Sequence, residues 1–309
     1  MNPGERYYQQ VQLLVDVLPL VSEEKCFALK GGTAINLFVR DMPRLSVDID
    51  LVYLPNEPRQ LALQGATSAL ARIAERIRKA FSDAKVVEAY KHKPDVLRLV
   101  VDRRQAQIQI ELSPVLRGTL FPPELRSVTH RVEAEFGYAE MLVTSLPDLY
   151  GGKICAALDR QHPRDWFDVK LLLDANELER SIFLGFLAYL LCHPRPIHEV
   201  LQPRWKPIDQ LFQNEFDGMS NTSVALVDLE AARDRLMDTI RQHITPQDAE
   251  FLLSFKRMQP NWSLLPLKDA ETLPAVRWKL QNLAKMPEAR HAEAVDKLEA
   301  VLNQLLNRT

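Results

Sequence analysis

The stretch from Arg44 to Tyr53 constrains the fold more than any other part of this chain. Leu45, Val47, Ile49 and Leu51 alternate with Arg44, Ser46, Asp48 and Asp50, which is the period of an extended strand. The apolar face must be covered, so the strand belongs to a sheet packed on one side and open on the other. On the open face Asp48 and Asp50 point the same way, with roughly 6–7 Å between their Cα atoms. Two carboxylates that close repel each other unless a cation joins them.

The flanking segments show what kind of domain carries this strand. Residues 5–20 place apolar side chains at 11, 14, 15 and 18, a helical stripe. Gly31-Gly32 breaks the pattern, and Thr33 is suited to cap a short helix from Ala34 to Val39. A helix is expected at about 58–81, then strands at about 96–102 and 106–113 with Arg103-Arg104-Gln105 as their turn. In the second strand Ile108, Ile110 and Leu112 face inward, and Gln107, Gln109 and Glu111 outward.

From about residue 136 the chain reads as helical. Ser145-Leu-Pro-Asp148 has the form of a capped start, and its helix runs through Lys153 to about Arg160. His162-Pro163 ends it, and a new helix begins near Arg164-Asp165. The proline-rich stretch His193–Pro207 reads as a connector, and helices are expected at about 228–243, 246–257 and 288–307. The expected architecture is α+β: a small mixed-sheet domain over residues 1–135 and a mainly helical domain over 136–309, with a cleft between them.

Composition narrows the class. A net charge of −2 argues against a protein that coats DNA, while leaving room for a local basic cleft that steers a nucleic acid. No apolar run approaches the roughly 18 residues of a membrane span, and the first residues lack a signal-peptide pattern, so the expected location is the cytoplasm. Cys26, Cys155 and Cys192 are widely spaced in apolar surroundings and read as reduced core residues. The seven histidines lack metal-ligand spacing. Trp262 and Trp278 read as core, and Arg103-Arg104 as a solvated turn.

Glu111 adds a third carboxylate on a polar strand face. Asp48, Asp50 and Glu111 together suit one or two Mg²⁺ (or Mn²⁺) ions, which prefer hard oxygen ligands and hold a triphosphate while activating a hydroxyl. Gly31-Gly32-Thr33 would let backbone N–H groups approach phosphate oxygens, and Ser46, on the same face as Asp48, could bond a phosphate. Against this stands the plain alternative that an Asp-x-Asp on an edge strand is solvated surface. Lys153, Ala157 and Arg160 share one helical stripe, a face about 10 Å long with two cations suited to phosphates or simply to water. Asp165 and Asp168 open a helix, where its dipole favours acids without any function.

Taken together, Leu29-Lys30-Gly-Gly-Thr-Ala and Arg44-Leu-Ser-Val-Asp-Ile-Asp-Leu resemble the first motif of the AbiE-type (AbiEii/AbiGii) toxin nucleotidyltransferases, within the DNA polymerase β-like superfamily. The resemblance continues through Leu149-Tyr-Gly-Gly-Lys153 to Arg160, Pro163-Arg-Asp165-Trp-Phe-Asp168, Phe251-Leu-Leu-Ser-Phe and Leu273-Pro-Ala-Val-Arg-Trp-Lys-Leu. The family's glycine–serine pair reads Gly32-Thr33 here, which keeps the hydroxyl. The resemblance implies catalytic roles for Asp48, Asp50, Lys153 and Asp165, and nucleotide contacts from Lys30, Gly31, Gly32, Thr33, Ser46 and Arg160. Asp168 matches the motif and reads as structural, and Asp148 matches it too, with a capping role explaining it equally well.

The implied activity is metal-dependent transfer of a nucleotide from an NTP to an acceptor hydroxyl, by the toxin of a toxin–antitoxin pair with a cognate antitoxin. For some relatives the acceptor is the tRNA 3′ end, so tRNA or another RNA is the expected partner. Phosphotransfer, nucleotide transfer to protein, and non-catalytic binding of RNA or antitoxin are the alternatives.

Overall fold

The computed structural model describes residues 3–93 and 96–307. It forms two compact units. One runs to Ser145 and takes back Asp217–Ser223, and the other comprises Leu146–Phe216 and Val224–Thr309. The sheet therefore continues past residue 135, where the sequence suggested that the first domain ends.

The first unit contains, in order, α1 (Pro3–Ser22), β1 (Phe27–Lys30), α2 (Gly31–Ala34), β2 (Asp48–Tyr53), α3 (Arg59–Ala80), β3 (Lys85–Glu88), β4 (Arg98–Arg103), β5 (Ala106–Leu112), β6 (Glu124–Ser127), α4 (His130–Phe136) and β7 (Glu140–Val143). All seven strands join one mixed sheet in the order β3-β4-β5-β2-β1-β7-β6. The strand carrying the two aspartates is thus near the centre, antiparallel to β1 and parallel to β5.

The apolar stripe of α1, with Val11, Leu14, Val15 and Leu18, is fully buried. α3 buries Ala62, Ala66, Ala69, Leu70, Ile73, Ala74 and Ile77, a helical stripe rich in alanine that lets the helix axis come close to what it covers. The β4–β5 turn holds Arg104 and Gln105 at positive φ, the geometry of a tight hairpin. Its arginines are not simply solvated: Arg103 and Arg104 both bind Asp83, at 2.8 and 3.0 Å, and Arg103 also lies over the Phe81 ring.

The strand read as starting at Arg44 enters the sheet only at Asp48. Residues 43–45 pair instead with the returning segment: Leu45 N–H donates to Met219 O at 2.8 Å and Asn221 N–H to Pro43 O at 2.9 Å. Arg44 and Ser46 are consequently buried rather than open.

The second unit is helical: α5 (Leu146–Arg160), α6 (Pro163–Asp174), α7 (Arg180–Cys192), α8 (Ile197–Leu201), α9 (Asp209–Glu215), α10 (Leu226–His243), α11 (Pro246–Lys256), α12 (Pro274–Ala284) and α13 (Glu288–Leu306). α5 and α7 cross at two glycines. A Cβ on Gly151 would lie 2.6 Å from the Gly185 carbonyl carbon, and one on Gly185 would overlap the Pro147 carbonyl. Gly152, next to Gly151 on α5, faces the Tyr189 ring instead. α11 starts at a capping box in which Thr245 and Asp248 satisfy each other's backbone N–H groups, and Asp248 also takes both Arg180 nitrogens.

Trp262 packs on Phe251 and Phe255, whereas Trp278 is largely exposed rather than core. The three cysteines are free, with Cys155 buried. Among the described residues no helix is long and apolar enough to cross a membrane.

Candidate active site

In the sheet unit the expected residues gather around the end of β1 and the start of β2. Lys30 on β1 stands opposite Asp50 on β2, Asp50 opposite Glu111 on β5, and Glu111 opposite Arg98 on β4. A row of four charged residues, cation–anion–anion–cation, therefore crosses four adjacent strands at one level. Arg98 Nη2 lies 3.1 Å from the Glu111 carboxylate. Among the described residues no hydrogen bond or ion pair engages the Asp50 carboxylate. Asp48 and Asp50 are both half-buried, on the same side of β2.

The glycine turn is shaped to this strand. Gly31 sits at φ +75°, a conformation that L side chains rarely adopt, and a Cβ there would overlap the Asp50 carboxylate oxygen. Gly32 meets the Arg44 guanidinium and the Ser46 hydroxyl in the same way, at 2.8 and 3.1 Å from its would-be Cβ. Thr33 is fully buried; its hydroxyl donates to the Asp48 carbonyl and lies 2.9 Å from the Ser46 hydroxyl. Asn36 Nδ2 donates to the Gly32 carbonyl at 2.9 Å. The short helix expected at 34–39 is a single α-turn, Gly31–Ala34, running into a π-helical stretch, Ile35–Val39, a form often found at functional sites. Thr33 and Ser46 thus act from within, fixing the turn to the strand.

In the helical unit Lys153 is not on a solvated face. Its side chain is 5% exposed, and Nζ lies 2.8 Å from Asp165 and 3.0 Å from Asp168, which are themselves almost fully buried. Arg160, with a largely exposed side chain, grips the same Asp165 through Nε and Nη2 at 2.5 and 2.9 Å. Burial pushes the Asp165 carboxyl up, but Lys153 and Arg160 outweigh this and hold it well below the usual carboxylate range. Asp148 is buried and accepts from the Tyr189 hydroxyl at 3.2 Å, so it does more than favour the helix start.

The metal question turns on the donor set. Among the described residues no three His, Cys, Asp or Glu side chains are gathered as a closed metal cage, and Glu111 is engaged by Arg98. Mg²⁺ at phosphate-transfer sites takes one or two carboxylates, with substrate phosphates and water completing its shell. The half-buried pair Asp48 and Asp50, beside a backbone turn stripped of side chains, fits that requirement.

Residues 12–282 match the family model described as nucleotidyl transferase AbiEii toxin, type IV toxin–antitoxin system. Among solved structures, the chain is similar to MenT4, a nucleotidyltransferase toxin from Mycobacterium tuberculosis H37Rv. Identity is 14%, the TM-score is 0.58, and the match covers 97% of this chain and 95% of that one. No curated protein matches the sequence significantly. The structural likeness supports the fold, and the sequence match, extending over most of the chain, settles the family. This chain belongs to the AbiEii nucleotidyltransferase toxins of type IV toxin–antitoxin systems.

Proposed function

We propose that the protein transfers a nucleoside monophosphate from an NTP to a hydroxyl of an RNA acceptor, the tRNA 3′ end being the first candidate, and that it does so with a divalent metal held by Asp48 and Asp50. The observation that carries this reading is the fit of Gly31 to Asp50: a left-handed glycine brings bare backbone against a carboxylate with no protein partner among the described residues. A turn without side chains of its own would let its N–H groups approach phosphate oxygens closely.

Mg²⁺ or Mn²⁺ bound there would neutralise phosphate charge and favour ionisation of the acceptor hydroxyl. Asp48 and Asp50 would hold it, and Glu111 would join as a third carboxylate only by leaving its pair with Arg98. The N–H groups of Gly32 and Thr33 bind phosphate oxygens, Thr33 and Ser46 hold the turn in place, and Lys30 adds positive charge beside Asp50. The acceptor oxygen attacks the α-phosphorus, the bond to the β-phosphate bridging oxygen breaks, pyrophosphate leaves, and the hydroxyl proton passes to solvent. Most of the catalysis in such a reaction is positioning and charge stabilisation. Lys153, held by Asp165 and Asp168, and Arg160 are further cations suited to nucleotide phosphates. A cognate antitoxin and a cytoplasmic setting complete the reading.

Incubation with each α-labelled NTP, total tRNA and Mg²⁺ tests it. The expected result is label on RNA, lost in Asp48→Ala. Label found only on protein, or RNA labelling that persists in Asp48→Ala, overturns it.

A further inference from the structure

Outside the motif residues, the helical unit displays an aromatic side chain in an unusual setting. Trp205 lies in the proline-bounded segment Pro203-Arg-Trp-Lys-Pro207 and keeps 40% of its surface open, with Arg204 and Lys206 exposed on either side. A solvent-facing tryptophan in a loop is ordinarily free to move, but this one is held. Gln161, buried to 1% exposure, donates from Nε2 to the Arg204 carbonyl at 2.9 Å and accepts from the Lys206 N–H at 2.8 Å. One side-chain amide thus clamps the backbone on both sides of Trp205. Arg233 Nη2 adds a bond to the Lys206 carbonyl at 3.2 Å.

The ring is also supported from beneath. Trp166 meets it edge-on with centroids 5.8 Å apart, and the buried Arg233 guanidinium lies 5.5 Å from its centroid. Arg233 Nε and Trp166 Nε1 are buried without a hydrogen-bond partner; among the described residues Arg233 makes no ion pair, although Glu230, Asp234 and Asp209 act on it electrostatically. The clamp and the support belong to the segment that carries the motif: Gln161 follows Arg160, and Trp166 follows Asp165.

A rigid aromatic face flanked by cations is what an unstacked nucleobase requires, with the ring stacking on the base and Arg or Lys meeting the phosphates. We propose that Trp205, with Arg204 and Lys206, is a stacking platform for a single-stranded segment of the RNA acceptor. This rests on the RNA reading above and adds to it the residues that hold the acceptor.

The test is fluorescence anisotropy of the full chain with a labelled single-stranded RNA oligonucleotide and with total tRNA, alongside the KM for NTP. Trp205→Ala is expected to weaken RNA binding by roughly 5- to 150-fold, the usual range for one stacked base, with the NTP KM unchanged. Trp205→Phe should retain most of the affinity and guards against a folding defect. Arg204→Ala and Lys206→Ala should each flatten the salt dependence of binding. Unchanged RNA affinity in Trp205→Ala, in a protein that still labels RNA, overturns the platform and leaves the transfer reaction standing. A raised NTP KM with normal RNA affinity assigns the ring to the nucleotide instead and equally overturns it. Wild-type protein that binds no RNA and labels only protein removes both readings together.

Discussion

Asp50 on β2 and Glu111 on β5 stand directly opposite each other in parallel register, while Arg98 on β4 grips Glu111 from its other side. Two carboxylates on neighbouring strands are unfavourable without a cation; Arg98 forms an ion pair with Glu111, whereas Lys30 stands opposite Asp50 with no ion pair between them among the described residues. This asymmetry separates the two residues functionally. Asp48→Ala and Asp50→Ala are expected to lower nucleotide transfer by on the order of 10²-fold or more at every Mg²⁺ concentration, because on the proposed reading each would remove a carboxylate holding the metal that meets the substrate phosphates. Glu111→Gln is expected to raise the Mg²⁺ concentration for half-maximal rate several-fold and to recover at saturation. A Mg²⁺ titration of initial rates distinguishes them. An unshifted titration in Glu111→Gln would restrict Glu111 to its pair with Arg98.

Gly31 gives a second prediction, because two effects converge there. Alanine at φ +75° is strained, by about 1–3 kcal/mol, and its Cβ would displace the Asp50 carboxylate. Gly137 offers the comparison: it sits at φ +103° with open space around it. Gly31→Ala should therefore lose stability and at least ten-fold in activity, whereas Gly137→Ala should lose stability alone. Urea denaturation with parallel rate measurements checks this. Equal activity losses in the two variants would remove the argument for close approach.

The sequence made the carboxylate strand legible because Ile49 and Leu51 are buried and Asp48 and Asp50 are not, a clean period of two. The same rule misled at Arg44 and Ser46, whose face is covered by Gly32 and by partners about 175 residues downstream, around Met219; local periodicity holds no trace of so distant a pairing. β1 escaped notice because Phe27–Lys30 is four residues long with no exposed position to alternate with. α7 escaped because Arg180–Cys192 buries almost its whole circumference and shows no stripe. Lys153 and Arg160 were legible as cations on one stripe, but not as partners of a single aspartate, since that contact depends on how α6 packs on α5. The Trp205 platform was overlooked altogether, although Arg-Trp-Lys enclosed by prolines was the available signal.

The α5–α7 crossing supports a third prediction. Gly151 and Gly185 meet backbone to backbone, so neither neighbour can yield as a flexible side chain would. Overpacking a close contact costs about 1–3 kcal/mol, and both Gly151→Ala and Gly185→Ala should reach at least that loss. Gly152→Ala meets only the Tyr189 ring, at 3.3 Å, and should be far milder. Chemical denaturation midpoints rank the three, and a Gly152→Ala variant as unstable as Gly151→Ala would contradict the crossing geometry.

The final prediction concerns the buried charges of α5 and α6. In the wild type, Asp165 is held below its unfolded value, so its contribution is complete above about pH 4 and disappears only as pH falls through the lower folded value. Stability from this source is therefore flat between pH 5 and 7. Lys153→Met removes the buried cation that pairs with both Asp165 and Asp168, and breaking a buried pair from one side typically costs about 3–5 kcal/mol. With Lys153 gone, burial opposes ionisation of Asp165 with Arg160 as its counter-charge; the variant is expected to gain stability as pH is lowered from 7 to 5, relative to the wild type. Adding Asp168→Asn should recover part of the loss at pH 7, because it lowers the negative charge buried beside Asp165. Urea titrations at pH 5, 6 and 7 measure all three proteins. If Lys153→Met is as stable at pH 7 as at pH 5, Lys153 is not the residue that neutralises this cluster, and any loss of activity in the variant must be read as catalytic.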